Sequence, residues 1–189
     1  MRVLSQERLL FLIIKVLCSP FSKIKNKYYS LIFKSHGLIV GRNISIVGSK
    51  NIELGNRVII GNQNWLDAIN NGKIIIGNDV SLSQNVHIAA INMVSIGEGT
   101  LIGSDVLITD HNHSFDFHMS EMMPKHRPLK SNGSTILGRN VWLSDNVKIL
   151  SGVTLGNNVV VAANAVVTKS FPDNVVIGGI PAKIISRIQ

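Results

Sequence analysis

The sequence is poor in cysteine, in aromatic residues and in charge. Its 189 residues include one cysteine, Cys18, so no disulfide can form within the chain, and a reducing compartment fits this composition. Aromatic residues make up 5% and charged residues 16% of the chain, whereas about 25% charged is usual. Because 45% of the residues are hydrophobic, the apolar content is mainly Ile, Val and Leu. Such a chain is too hydrophobic to be intrinsically disordered.

The positive charge is concentrated at the N-terminus. The formal net charge is +8, and residues 1–35 carry most of it, since seven basic residues there face the single acidic residue Glu7. The rest of the chain is nearly neutral and has no Lys/Arg run. This distribution argues against a nucleic-acid partner.

Residues 1–35 form a basic, amphipathic segment that we expect to be helical. The apolar stretch from Leu9 to Cys18 is too short to span a membrane, which takes about 20 residues, and no signal-peptide cleavage pattern follows it. We predict a helix from about Ser5 to Leu17 that is broken by Pro20. Two roles stay open: packing on the body or on a sister subunit, and peripheral contact with anionic lipid.

A six-residue repeat organises the chain from about residue 36 to residue 189. Six residues turn an α-helix by about 600°, which is not a whole number of turns, so the repeat cannot keep one face of a helix apolar. Three short strands joined by corners instead close a triangular coil, and successive coils stack in parallel about 4.8 Å apart. The repeat therefore predicts an all-β solenoid. Its longest uninterrupted run of aliphatic residues is Leu137, Leu143, Ile149, Leu155, Val161 and Val167.

The repeat is interrupted between Ile108 and Leu137, and we assign residues 109–135 to a loop insertion. Four of the six histidines lie in it: His111, His113, His118 and His126. His111 stands where the last strand ends, next to a rigid wall. This position makes His111 the strongest functional candidate among the four histidines. The group that orients this imidazole could be Asp110, Asp116 or a main-chain carbonyl.

Three linked motifs resemble the hexapeptide-repeat acyltransferases, in particular the galactoside, maltose and capsule-polysaccharide O-acetyltransferases. The motifs are Thr109-Asp110-His111, then Gly138-Arg139-Asn140-Val141-Trp142-Leu143, and a C-terminal stretch with Lys169 and Gly178-Gly179-Ile180-Pro181-Ala182-Lys183. The resemblance implies a single-stranded left-handed parallel β-helix, acetyl-CoA as acetyl donor and no metal. It also implies a homotrimer, and a sugar or sugar-nucleotide acceptor in surface-polysaccharide (capsule or O-antigen) biosynthesis. The expected location is the cytoplasm, at the inner face of the membrane if residues 1–35 bind lipid.

The same resemblance assigns roles to individual residues. It makes His111 the general base of a direct transfer, because Cys18 is remote in sequence from the loop. It places an acidic residue where this chain has Ile91 or Asn92, and a glycine where it has Ser144. The expected coenzyme A contacts are Trp142, Lys169 and Lys183, and the expected acceptor contacts are Ser83, Asn85, His113 and Phe115, with Phe117 beside them.

Three other functions compete with this one. An N-acetyltransferase of a nucleotide-linked amino sugar would acetylate a free amine. A zinc lyase resembling the γ-type carbonic anhydrases would use His87, His113 and His118. A purely structural solenoid would leave the His- and Phe-rich loop without a role.

Overall fold

The computed structural model describes residues 9–116 and 120–188. It begins with helix α1, Leu9–Phe33, which contains Pro20. The predicted break at Pro20 is therefore wrong, and the predicted start near Ser5 lies outside the described residues. A proline inside a helix removes one N–H donor and costs roughly 3 kcal/mol. The helix continues because its second half packs against the first coil of the solenoid. No described helix is long and apolar enough to cross a membrane.

The rest of the chain winds into a three-sided β-solenoid with strands numbered along the sequence. Sheet A contains, in spatial order, β1 (Ile39–Val40), β4 (Ile59–Ile60), β7 (Ser81–Leu82), β10 (Leu101–Ile102), β15 (Trp142–Leu143), β18 (Val160–Val161), β20 (Val175–Gly179) and β21 (Ala182–Arg187). Sheet B contains β2 (Ser45–Val47), β5 (Trp65–Ala68), β8 (His87–Ala90), β11 (Leu107–Thr109), β16 (Lys148–Ile149) and β19 (Val166–Val167). Sheet C contains β3 (Ile52–Leu54), β6 (Lys73–Ile76), β9 (Met93–Ile96), β14 (Thr135–Leu137) and β17 (Thr154–Leu155).

The chain visits the sheets in the order A, B, C, and every strand of these sheets except β21 pairs in parallel with its equivalent one coil away. Ile60, for example, pairs with Leu82, and Leu82 pairs with Ile102. The inward positions form one continuous aliphatic core. The predicted interior run is confirmed, since each member is at most 1% exposed: Leu137, Leu143, Ile149, Leu155, Val161 and Val167.

Asparagine and glycine residues shape the corners. Asn140, Asn158 and Asn174 all have a positive φ, between 54° and 59°, which Asn tolerates better than most residues. Their amides form a ladder, with Asn140 donating to Asn158 at 3.3 Å and Asn158 to Asn174 at 2.8 Å. A Cβ at Gly138 would lie 2.7 Å from the backbone of Gly156. This corner therefore requires glycine for the coils to stack.

Every interruption of the repeat falls at the corner between sheets B and C. Extra residues lie between Val47 and Ile52, between Ala68 and Lys73, and between Ala90 and Met93. The long insertion joins β11 to β14 at the same corner. Coils with extra residues there still stack because the strands on both sides keep their register.

The long insertion is a hairpin rather than an irregular loop. Strands β12 (His111–His113) and β13 (Leu129–Ser131) pair antiparallel, with His111 opposite Ser131. A short 3-10 turn, Pro124–His126, follows within the arm. Phe117 and His118 lie outside the described residues. We call residues 110–134 the hairpin arm.

The two ends of the solenoid are covered differently. At the N-terminal end α1 packs against β1 and β3, and Tyr29 and Phe33 contact the core. At the C-terminal end β21 turns back and pairs antiparallel with β20.

Candidate active site

The candidate active site begins at Asp110, the first residue after β11. Its side chain is 0% exposed, yet its carboxylate is fully engaged. One oxygen accepts the backbone N–H of Ile91 at 2.9 Å, and the other accepts that of Asn92 at 2.7 Å. Asp110 therefore ties the start of the hairpin arm to the corner of the preceding coil.

The same carboxylate orients His111. Nδ1 of His111 lies 2.9 Å from Oδ1 of Asp110, and the imidazole is 12% exposed. An ionised carboxylate can only accept a hydrogen bond, so Nδ1 donates to Asp110, and Nε2 is the ring nitrogen that remains to act as a base. Thr109 Oγ1 lies 3.2 Å from the same Nδ1 and accepts the backbone N–H of His111. Of the three candidates for the orienting group, the structure selects Asp110.

The pKa of Asp110 is lowered from its ordinary value. Burial by itself raises this pKa, because it disfavours the charged carboxylate. The hydrogen bonds from His111 and from the amides of Ile91, Asn92 and Met93 lower it and outweigh the burial. The site therefore holds a buried carboxylate that is ionised at neutral pH beside the imidazole.

Neighbouring hydroxyls hold the backbone on which the pair is mounted. Thr135 Oγ1 donates to the carbonyl oxygen of Thr109 at 3.0 Å, and Ser151 Oγ donates to that of Asp110. Both hydroxyl side chains are buried or nearly so. The aspartate and the histidine thus stand on backbone that three successive coils support.

Two of the predicted acceptor residues lie together on the hairpin arm. His113 and Phe115 line a shallow pocket of about 140 Å³ with Asp116 and Lys130, whose charged groups are 3.5 Å apart. Phe115 is 82% exposed. Asn112 and Asn132 complete the pocket wall.

The other two predicted acceptor residues lie at a different corner, between sheets A and B. Asn85 has φ +55° and donates from its amide to Asp105 at 2.6 Å. Ser83 uses its backbone to accept a hydrogen bond from Asn64 at 2.9 Å. Within one chain the structure does not bring this pair together with the arm pocket.

Comparison with known proteins decides the family. The model of the bacterial transferase hexapeptide family, six repeats, matches residues 134–169. The chain is 38% identical over 176 residues to the "Putative lipopolysaccharide biosynthesis O-acetyl transferase WbbJ" of Escherichia coli K12, which covers 90% of this chain and 89% of that protein. The chain belongs to the bacterial hexapeptide-repeat transferases. The predicted family and acyltransferase class are confirmed.

Solved structures of hexapeptide-repeat transferases share the fold. A galactoside acetyltransferase in complex with coenzyme A superposes with a TM-score of 0.56 at 26% identity, covering 85% of this chain and 70% of that one. AntD, an N-acyltransferase from Bacillus cereus, superposes with a TM-score of 0.75 at 21% identity, covering 87% and 88%. The predicted left-handed parallel β-helix is confirmed.

The residues that the family resemblance assigns to coenzyme A are spread over the surface of this hexapeptide-repeat transferase. Trp142 points outward from sheet A and is 49% exposed, whereas His111 follows a strand of sheet B. Lys169 follows β19 and places its Nζ 5.8 Å from the ring centre of Phe171. Lys183 lies exposed in β21, opposite Gly178. Their roles stay predictions.

The sequence reasoning missed one polar cluster, on the outer face of sheet B. The rings of Trp65 and His87 meet edge to face at 5.2 Å, and His87 Nε2 lies 3.2 Å from Asp67 Oδ2. Trp65 and His87 occupy equivalent positions on neighbouring coils, so an alignment of the coils in the sequence would have predicted this contact. The zinc alternative assigned His87 to a metal. Among the residues that the structure describes, no group of three His, Cys, Asp or Glu side chains could hold a metal ion.

Proposed function

We propose that this protein transfers the acetyl group of acetyl-CoA to a sugar hydroxyl during surface-polysaccharide biosynthesis. The observation that carries the proposal is the buried Asp110 carboxylate, 2.9 Å from Nδ1 of His111 at the base of the hairpin arm. Support for the donor and the acceptor comes from the galactoside acetyltransferase with coenzyme A and from the name of the E. coli relative.

The transfer needs one base and no covalent enzyme intermediate. Nε2 of His111 removes the proton of the acceptor hydroxyl as its oxygen attacks the thioester carbonyl. A C–O bond forms and the C–S bond breaks. The imidazolium returns the proton to the departing thiolate, so the products are the acetyl ester and coenzyme A. Asp110 stabilises the imidazolium during the step, because it is ionised and fixed by backbone amides.

The donor site in this proposal is completed by a second subunit. Sheet A presents a column of exposed residues in register that is apolar except at Ser81, which lies between Ile59 and Leu101. Its apolar members are each 41–50% exposed: Ile39, Ile59, Leu101 and Trp142. In a homotrimer this column faces the sheet B–C corner of a neighbouring chain. Trp142 of one chain then lines the pantetheine arm beside His111 of the other, and Lys169 and Lys183 contact the phosphates.

Substitution of His111 tests the proposal directly. His111→Ala should still fold, because the imidazole is not part of the aliphatic core and two backbone amides continue to hold Asp110. It should lose at least about a hundredfold in turnover. Turnover is measured as thiol release from acetyl-CoA with a panel of sugars and saccharide fragments.

His126→Ala is the matched control, since His126 is exposed on the 3-10 turn of the arm, and it should keep wild-type turnover. Near-normal turnover of His111→Ala would remove His111 from its role. A preference for a nucleotide-linked amino sugar over every hydroxyl acceptor would replace O-acetylation by N-acetylation.

A further inference from the structure

The second half of helix α1 carries an apolar stripe that the solenoid does not cover. Phe21, Ile24, Tyr28 and Leu31 are 62–76% exposed. Their spacing of three, four and three residues places them on one face of the helix. An isolated exposed apolar residue is ordinary, whereas a continuous stripe of this kind marks an interaction surface.

Contacts between helix α1 and the solenoid determine which way the stripe faces. Lys25 borders the stripe next to Phe21 and donates from Nζ to the carbonyl oxygen of Gly41. On the opposite side of the helix, the side-chain oxygen of Asn26 accepts the N–H of Val40 at 3.0 Å. Tyr29 and Phe33 pack against the core. These contacts anchor the helix to the first coil, so the stripe faces away from the solenoid.

The charge around the stripe favours one kind of partner. Lys23 and Lys27 are exposed on the helix, and Lys34 follows its last turn. The sequence has no acidic residue between Glu7 and Glu53. An apolar face flanked by lysines matches a bilayer with anionic headgroups, in which apolar side chains enter the acyl boundary and ammonium groups meet phosphates. Tyr28 suits the same boundary, because its ring is apolar and its hydroxyl is polar.

We propose that the stripe of Phe21, Ile24, Tyr28 and Leu31, with Lys23 and Lys27, docks the protein on an anionic membrane surface. The helix lies in the plane of the interface and does not cross the bilayer. A second copy of the chain is a poorer occupant, since its identical lysines would repel those of the first. The proposal does not depend on the acetyl-transfer reaction.

Co-sedimentation of the full-length protein with lipid vesicles tests the docking. Wild type should bind vesicles of phosphatidylcholine mixed with phosphatidylglycerol more strongly than vesicles of phosphatidylcholine alone, and high salt should weaken the binding. Phe21→Ser combined with Leu31→Ser should reduce partitioning into the mixed vesicles by about tenfold or more. Lys23→Gln combined with Lys27→Gln should produce a similar loss at low salt and little change at high salt.

The control variant changes two exposed apolar residues at the opposite end of the solenoid, Ile184→Ser with Ile185→Ser, and should bind the mixed vesicles like wild type. Circular dichroism and light scattering accompany each variant. Unchanged vesicle binding of the Phe21/Leu31 variant overturns the proposal. A smaller oligomer for that variant also overturns it, because the stripe would then contact another copy.

Discussion

At the residue scale, the contact between Asp110 and His111 depends on the coil that precedes them, because its backbone amides hold the Asp110 carboxylate. His111 follows the last strand before the insertion, and the repeat itself shows where that strand ends. Asp110, Asp116 and a main-chain carbonyl were equal candidates for the orienting group. The choice depends on the amides of Ile91 and Asn92, which lie on the previous coil and hold the Asp110 carboxylate. A contact between residues about one coil apart is a property of stacking, and no local pattern contains it.

Asp110→Asn should lower the free energy of unfolding and should make that free energy depend less on pH in the acidic range. The asparagine side chain has one oxygen where the carboxylate has two, so it can accept only one of the two backbone N–H groups. The other N–H is left without a partner, which costs about 1–3 kcal/mol of stability. The lowered pKa of Asp110 means that the folded protein binds its proton less readily than the unfolded chain. The stabilisation is therefore present at neutral pH and is lost as the pH falls below about 4.

Thermal unfolding of the two proteins across the acidic range checks this expectation. Wild type should lose more stability than Asp110→Asn as the pH falls. Asp116→Asn is the control, because Asp116 is half exposed on the arm and, within the described part of the chain, forms its ion pair with Lys130. It should behave like wild type. Parallel curves for wild type and Asp110→Asn would contradict the assigned role.

At the element scale, the six-residue repeat predicted the strands, their parallel stacking and the aliphatic core. The repeat also showed where it is interrupted, but it did not show that the interruptions all lie at the corner between sheets B and C. The predicted break of α1 at Pro20 is wrong, because the packing of Tyr29 and Phe33 on the core outweighs the cost of the proline. The hairpin within residues 109–135 was missed, since its partners β12 and β13 lack the alternating apolar pattern of a strand.

Shortening the hairpin arm should weaken acceptor binding and leave the stability of the fold unchanged. Replacing residues 115–127 by Asn-Gly keeps β12 and β13 and joins them through a favoured two-residue turn. Strands β11 and β14 pair with coils on both sides, so the melting temperature should stay close to that of wild type. The KM for the sugar acceptor should rise at least about tenfold, because the pocket loses Phe115 and Asp116.

Acceptor titrations at saturating acetyl-CoA, together with binding of coenzyme A by calorimetry, measure the effect. Coenzyme A affinity should be unchanged, because none of its proposed contacts lies on the arm. An unaltered acceptor KM would exclude the arm from the acceptor site.

At the scale of the whole molecule, the proposed donor contact Trp142 and the proposed base His111 lie on different sides of the solenoid. Trp142 is exposed on sheet A and His111 lies beyond sheet B. The sequence could not predict this separation from spacing alone, because each residue belongs to its own coil and corner. In a site formed between two subunits, Trp142 and His111 come from different chains and therefore lie apart within each chain.

Mixed oligomers of two defective variants should recover activity. His111→Ala and Trp142→Ala should each be strongly impaired alone. When they assemble at random into trimers by co-expression, about a quarter of the sites combine an intact His111 with a neighbour's intact Trp142. Thiol release by the purified mixed oligomer, with its mass from light scattering, measures the recovery. Activity no higher than that of the separate variants would place both residues in one chain's site.

The different coverings at the two ends of the solenoid carry a further consequence. A stack of parallel strands that ends openly offers unpaired backbone groups to the next molecule and can grow into a fibre. Here α1 lies over the first coil, and β21 covers the last strand of sheet A in the reverse direction while carrying Lys183 and Arg187. An antiparallel, charged final strand does not continue the parallel pattern. The fold therefore has a fixed length, and its two ends do not offer a parallel strand edge on which a further copy could stack.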